Sequence, residues 1–254
     1  MFFVDLNCDM GESFGAWRMG NDTALMDYVS SVNIACGFHA GDATIIRKTV
    51  ETAIAKNVAV GAHPSFPDLQ GFGRREIKMA AAEVFDIVLY QVAALKGICE
   101  ASGGRLHHVK PHGALYNQAA REKDLAAAIA EAVKAIDANL IFYGLSNSFL
   151  ISEAERIGLK TASEVFADRT YQPDGTLTPR SEPNALIETV EKSSEQVLKM
   201  ITAQIVTATS GETISIKADT ICIHGDGAYA LEFAREVRRN LEENGILIRA
   251  INKI

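Results

Sequence analysis

The feature that most restricts the fold is a repeated pairing of a short apolar run with a longer helical segment, in which four runs close on histidine. These runs are Asn33-Ile34-Ala35-Cys36-Gly37-Phe38-His39, Val58-Ala59-Val60-Gly61-Ala62-His63, Val109-Lys110-Pro111-His112-Gly113 and Ile221-Cys222-Ile223-His224-Gly225. A fifth run, residues 2–9, ends in Asp9 instead. Apolar runs bounded by Gly and Pro read as buried strands. Strands that alternate with helices run parallel, because each helix carries the chain back to the same end of the sheet. In a closed parallel barrel all the strand ends open on one face, where barrel enzymes hold their chemistry. Polar groups scattered along the sequence then converge in space.

The pattern predicts strands at 2–9, 32–36, 58–62, 107–110, 140–143, 161–166 and 220–224, with strand-like character again at 246–251. Helices are expected at 23–28, 44–56, 79–102, 123–136, 149–157, 185–207 and 229–243. Gly41-Asp42 supplies a cap, Gly103-Gly104 a helix stop and Pro173-Asp174-Gly175 a turn. A length of 254 residues fits one domain, 1–254, built as a (β/α) barrel of seven or eight parallel strands. The alternative is an open doubly wound sheet. No G-x-G-x-x-G follows a strand, which argues against its dinucleotide-binding form.

Bulk properties exclude several functions. A net charge of −7 is wrong for a nucleic-acid partner. No stretch approaches the ~18 apolar residues of a membrane span. Asp5 and Asp9 interrupt the first apolar run, so no signal peptide is expected. The four cysteines form no C-x-x-C pair, and a reducing cytoplasm is the expected location.

Six segments carry candidate chemistry. Asp9 and Glu12 lie where the first strand opens into its loop, as base, acid or hard metal ligands, or as turn caps and solvated surface. Asp5 alternates with Leu6, which turns it toward a barrel interior where a carboxylate needs partners. His39 lies between Gly37 and Gly41, with Asp42 read as the cap of the next helix. His63 is a candidate ligand or base. Arg74 and Arg75 are candidates for a carboxylate or phosphoryl group, or else for salt bridges with Asp68 or Glu76. Lys110, His112 and Asn117 share one segment, in which a strand-end lysine can neutralise an oxyanion. Asp168 and Arg169 open a charged lid loop that continues to Arg180. His224-Gly225-Asp226-Gly227 joins a strand to a helix start and suits an anion. Cys8, Cys36 and Cys222 read as small buried hydrophobes, without the close spacing of a zinc site.

Taken together, the segments DLNCDMGESFG, NIACGFHAGD, GAHPSFPDLQGFGRR, VKPHGALYN, SEVFADRTYQPDGTLTPR and ICIHGDG span residues 5 to 227. In them the chain resembles the family of A-type 5-oxoprolinase subunits, formerly called the lactam-utilisation proteins. One departure is Ala43, where proline is expected and where it is favoured but not required. The resemblance implies one subunit of a three-component enzyme that opens 5-oxoproline to glutamate with ATP as co-substrate, working with two further subunits. It also implies a barrel similar to the glycoside hydrolase/deacetylase group, in which Asp and His bind a divalent metal. Asn7-Cys8-Asp9 is similar to the Asn-x-Asp-Asp opening of some deacetylases there, with Met10 in place of the second acid. On this reading Asp9, His63 or His112 activates water, directly or through a metal, for which the same three are the candidate ligands. Lys110 and the Arg74/Arg75 pair hold phosphoryl or carboxylate groups. Glu12, His39, Asn117, Asp168, Arg169, His224 and Asp226 complete the binding candidates. No G-x-x-x-x-G-K-[ST] occurs, so a nucleotide site on this chain would be irregular. The competing readings are a metal-dependent deacetylase or amidase acting alone, and a lactam-binding subunit without catalysis.

Overall fold

The computed structural model describes residues 2–187, 189–223 and 230–252. In chain order its elements are β1 (Phe3–Met10), α1 (Asp22–Leu25), β2 (Ser31–Ala35), α2 (Ala43–Ala55), β3 (Ala59–His63), α3 (Ala81–Ala101), β4 (Leu106–Val109), α4 (Gly113–Arg121), α5 (Lys123–Ile136), β5 (Ile141–Leu145), α6 (Phe149–Arg156) and β6 (Lys160–Phe166). They continue with α7 (Val190–Thr202), β7 (Ile205–Thr207), β8 (Thr213–Ser215), β9 (Thr220–Ile223), α8 (Ala230–Glu243) and β10 (Leu247–Ile248). Strands β1, β2, β3, β4, β5, β6 and β9 pair in that order, all parallel, and β9 closes onto β1. The result is a closed seven-stranded parallel barrel with helices outside. The short β10 pairs only with the first residues of β1, and β7 with β8 forms a separate antiparallel ribbon.

The alternation in β1 explains how the core divides. Val4, Leu6, Cys8 and Met10 point outward and join the apolar layer between barrel and helices. Asp5, Asn7 and Asp9 point inward, so the barrel interior is polar. The Asp5 carboxylate accepts hydrogen bonds from Ser30, Ser31, Tyr143 and Thr220 at 2.6–2.9 Å. These bonds satisfy a fully buried acid.

Most expected elements appear within one or two residues of their predicted bounds. Three differ. The helix expected at 185–207 is confined to Val190–Thr202. Ahead of it, the Ala185 carbonyl and the Ile187 amide are already bonded to Thr170 and Asp168 in the lid loop. Behind it, 205–207 pairs as β7 with β8. Helix α4, over a stretch where no helix is expected, follows Pro111-His112 and starts at Gly113 with φ of +55°. The strand-like segment 246–251 yields only Leu247–Ile248. No helix among the described residues is long and apolar enough to cross a membrane.

Candidate active site

The strand ends deliver three histidines to one point. His63 ends β3, His39 lies in the turn after β2, and His112 caps α4 just past β4. His39 and His112 stack with ring centres 3.8 Å apart, and His63 meets both edge-on. The turn that carries Phe72 and Gly73 presses against them. Gly73 has φ of +64°, and a Cβ there would lie 2.8 Å from His39 and 2.9 Å from His112, so only glycine fits. Glu12, from the loop after β1, brings Oε1 to 3.4 Å from His39 Nε2 and 3.8 Å from His112 Nδ1.

The hydrogen bonds fix where the imidazole lone pairs point. His63 Nδ1 donates to the Lys110 carbonyl at 2.7 Å, and His112 Nε2 donates to the Phe72 carbonyl at 2.9 Å. The remaining nitrogens, His63 Nε2 and His112 Nδ1, face each other at 2.9 Å. As neutral rings they set two lone pairs against one another. Burial holds His39 and His112 well below the usual histidine range, so both are neutral. Neither ring nitrogen of the fully buried His39 makes a hydrogen bond among the described residues. One donor atom from each of Glu12, His39, His63 and His112 lies within 4.8 Å of the others. His63 and His112, each with its other ring nitrogen tied to a backbone carbonyl, together with His39 and one carboxylate, match the donor set of a divalent transition metal.

Beside this cluster sits a lysine between two carboxylates. Lys110 Nζ lies 3.0 Å from Asp9 Oδ1 and 2.9 Å from Glu164 Oε1, with Asn7 Oδ1 at 3.3 Å and Cys222 Sγ at 3.1 Å. Burial alone disfavours the ammonium. The charges of Asp9 and Glu164 outweigh it and keep Lys110 well above its ordinary range. Glu164 also accepts from Asn7 and Tyr116, and Asn33 donates to both Asn7 Oδ1 and Asp9 Oδ1 at 2.8 Å. Asp9 Oδ2 is 3.3 Å from His63 Nε2. Asp9 thus joins the lysine network to the histidine cluster.

A cleft of about 890 Å³ opens over these groups. It is lined by Asp9, Glu12, His63, Lys110 and His112, and farther out by Arg74, Asn117, Arg169 and Arg180. Arg74 stacks over Phe72, with its guanidinium carbon 4.9 Å from the ring centre. Arg75 is not part of the site. Its exposed guanidinium grips the buried Asp68, whose carboxylate also accepts from the Gly71 amide and closes the turn. Arg169 lines the cleft, but donates to the carbonyls of Thr178 and Ala185. Burial and nearby Arg180 lower it to about 10. Asp168 does not line the cleft; its carbonyl accepts from the Ile187 amide. His224 and Asp226 lie outside the described residues. All four cysteines are buried free thiols.

Sequence reasoning missed Glu164, Tyr116, Asn7 and Asn33 as parts of the site. A usable signal existed for Glu164, an ionisable residue inside the otherwise apolar end of a strand, and for Asn7, between two inward-facing acids.

Comparison with known proteins agrees with this architecture. The LamB/YcsF family pattern matches residues 4–254. A protein from Tolumonas auensis, named as the A-type subunit of 5-oxoprolinase, is 60% identical over 248 residues, covering 98% of this chain and 99% of that protein. Its namesake from Bacillus subtilis is 54% identical over 253 residues, covering 100% of this chain and 98% of that protein. The crystal structure of a lactam utilization protein from Thermus thermophilus superposes with a TM-score of 0.93 at 46% identity, over 98% of this chain and 100% of that one. A putative cellobiose-phosphate cleavage protein from Enterococcus faecalis shares the fold, with a TM-score of 0.58 at 14% identity over 97% of this chain and 96% of that one. This chain belongs to the LamB/YcsF family.

Proposed function

We propose that this chain is the ring-opening subunit of a cytoplasmic, ATP-dependent 5-oxoprolinase that works with two partner subunits. The observation that carries the reading is the Asp9–Lys110–Glu164 arrangement at the base of a cleft whose outer wall bears Arg74 and Arg180. Names borne by relatives at 54–60% identity support it.

A lactam amide resists water. Transfer of a phosphoryl group from ATP to the amide oxygen by the partner subunits makes the ring carbon electrophilic. Water then adds to that carbon and gives its proton to Asp9, a carboxylate held by Lys110 and Asn33. The ammonium of Lys110 stabilises negative charge on the adduct. The C–N bond breaks as the ring nitrogen takes up a proton and leaves as the amine. A second water releases phosphate from the acyl phosphate, leaving glutamate. Arg74 and Arg180 hold the substrate carboxylate and the phosphoryl group. Glu12, His39, His63 and His112 would hold a divalent cation, which when bound supplies Lewis-acid polarisation.

The test is glutamate release from 5-oxoproline by the purified chain, with and without ATP and the two partners. Release only in the complete mixture is expected. The histidine–glutamate cluster favours one second reading, a metal-dependent amidase acting alone. Release by this chain without ATP, abolished by a chelator, would establish that reading instead.

A further inference from the structure

A second histidine pair lies toward the other end of the barrel, and its hydrogen bonds define a proton. Asn33 Nδ2 donates to Asp9 Oδ1 and Asn7 Oδ1, so its own oxygen faces the opposite way, 2.8 Å from His108 Nε2. An amide oxygen only accepts, so His108 Nε2 carries hydrogen. His107 Nε2 lies 2.7 Å from the Ile251 carbonyl, so it carries hydrogen as well. The two remaining nitrogens, both Nδ1, are 3.0 Å apart. Two neutral rings would set lone pair against lone pair. At the mouth of the barrel Glu12 and His39 complete a set of cation ligands around such a contact. Here one hydrogen between the two Nδ1 atoms removes the clash.

We propose that His107 and His108 share one proton, and that this proton holds His108 in the tautomer that fixes the Asn33 amide and thereby aims the carboxylate of Asp9. The second half rests on the role of Asp9 proposed above. Removing the proton forces one ring to give up an N–H. If His108 moves its hydrogen to Nδ1, its Nε2 lone pair faces the Asn33 oxygen. The amide then has to turn over, setting that oxygen against Asp9 and Asn7.

The difference in burial favours the charge on His107 over His108. His108 is fully buried, and burial, His107, Lys110 and His63 all disfavour a cation on it while Asp9 favours one. It stacks on Tyr143 at 4.1 Å, and the Tyr143 hydroxyl donates to Asp5, a carboxylate behind the pair. His107 is half-buried and borders a cleft of about 460 Å³ that it shares with Arg105 and Lys160. Gly61 gives His108 its space, since a Cβ there would lie 2.1 Å from Nε2. His108 is a positioning residue, with no contact to the cleft.

Nitrogen-15 NMR of the histidine-labelled full chain near neutral pH tests the proton directly. The expected spectrum shows His107 protonated on both nitrogens and His108 protonated on Nε2 alone, with both rings shifting together as the proton is removed. Two neutral rings, or His108 protonated on Nδ1, would overturn the proposal. Turnover in the complete enzyme tests the positioning. His108→Leu is expected to lower kcat on the order of 100-fold with little change in KM, as misplacement of a catalytic group does. His108→Gln, whose amide can donate to Asn33, is expected to recover most of that loss. A folded His108→Leu protein with wild-type kcat and pH profile would refute the positioning role; if that variant fails to fold, the wild-type pH profile decides, with kcat expected to fall as the spectrum shows the pair losing its proton and an unchanged kcat through that step refuting the role. Lack of turnover by the wild-type complex counts against the proposed reaction and leaves the spectrum to judge the proton.

Discussion

At the residue scale the site depends on charges that cannot be separated. Lys110 sits between Asp9 and Glu164, with Lys110 and Glu164 buried and the Asp9 side chain only 12% exposed, toward the cleft. Lys110→Met leaves two carboxylates facing each other without a counter-ion. Breaking such a pair is expected to cost about 3–5 kcal/mol, read by urea unfolding, and to abolish turnover. Gly61→Ala drives a methyl into His108 and is expected to cost about 1–3 kcal/mol by overpacking, measured the same way. Arg74→Ala is expected to raise KM, whereas Arg75→Ala leaves KM and kcat unchanged; steady-state kinetics separates the two. The sequence offered these arginines as equals. They diverge because the turn from Asp68 to Gly73, with positive φ at Phe72 and Gly73, commits one guanidinium to Asp68 and turns the other toward the cleft. By contrast, Asp9, His63, Lys110 and His112 were legible because each closes or follows an apolar run, and a closed parallel barrel leaves such positions on one face.

At the scale of elements, strands and long amphipathic helices could be read from periodicity, but connections held by tertiary contacts could not. The lid loop shows why. Arg169 lines the cleft as the sequence reading expected of a binding residue, and its guanidinium also ties the Thr178 and Ala185 carbonyls together ahead of α7. No local propensity encodes that, because the partners lie 9 and 16 residues away. Arg169→Ala is expected to free both carbonyls and speed amide exchange at Thr178 and Ile187, while the amides of β1 keep their protection. Unchanged exchange in the loop would show that Arg169 does not hold it.

At the scale of the whole molecule, a barrel whose interior is lined by Asp5, Asn7, Asn33, His108 and Glu164 exchanges the usual aliphatic filling for a hydrogen-bonded column ending at Asp9. The polar interior was half visible in the sequence, in the alternation of Asp5, Asn7 and Asp9. Its partners come from other strands, and only closure of the sheet brings them together. If the Glu12–His39–His63–His112 cluster holds a cation, adding that cation at 100 times its Kd should stabilise the protein by about 2.7 kcal/mol. Calorimetry would show the shift, and Glu12→Gln or His39→Ala should remove it. In the proposed reaction, partner subunits activate the lactam and this barrel opens it through Asp9. The most direct measurement follows ADP and glutamate together in the complete mixture, with wild-type protein and with Asp9→Asn. Equal amounts of both products are expected from the wild type, and from Asp9→Asn continued ADP formation with glutamate largely lost. Wild-type glutamate yield from folded Asp9→Asn would rule out ring opening through Asp9.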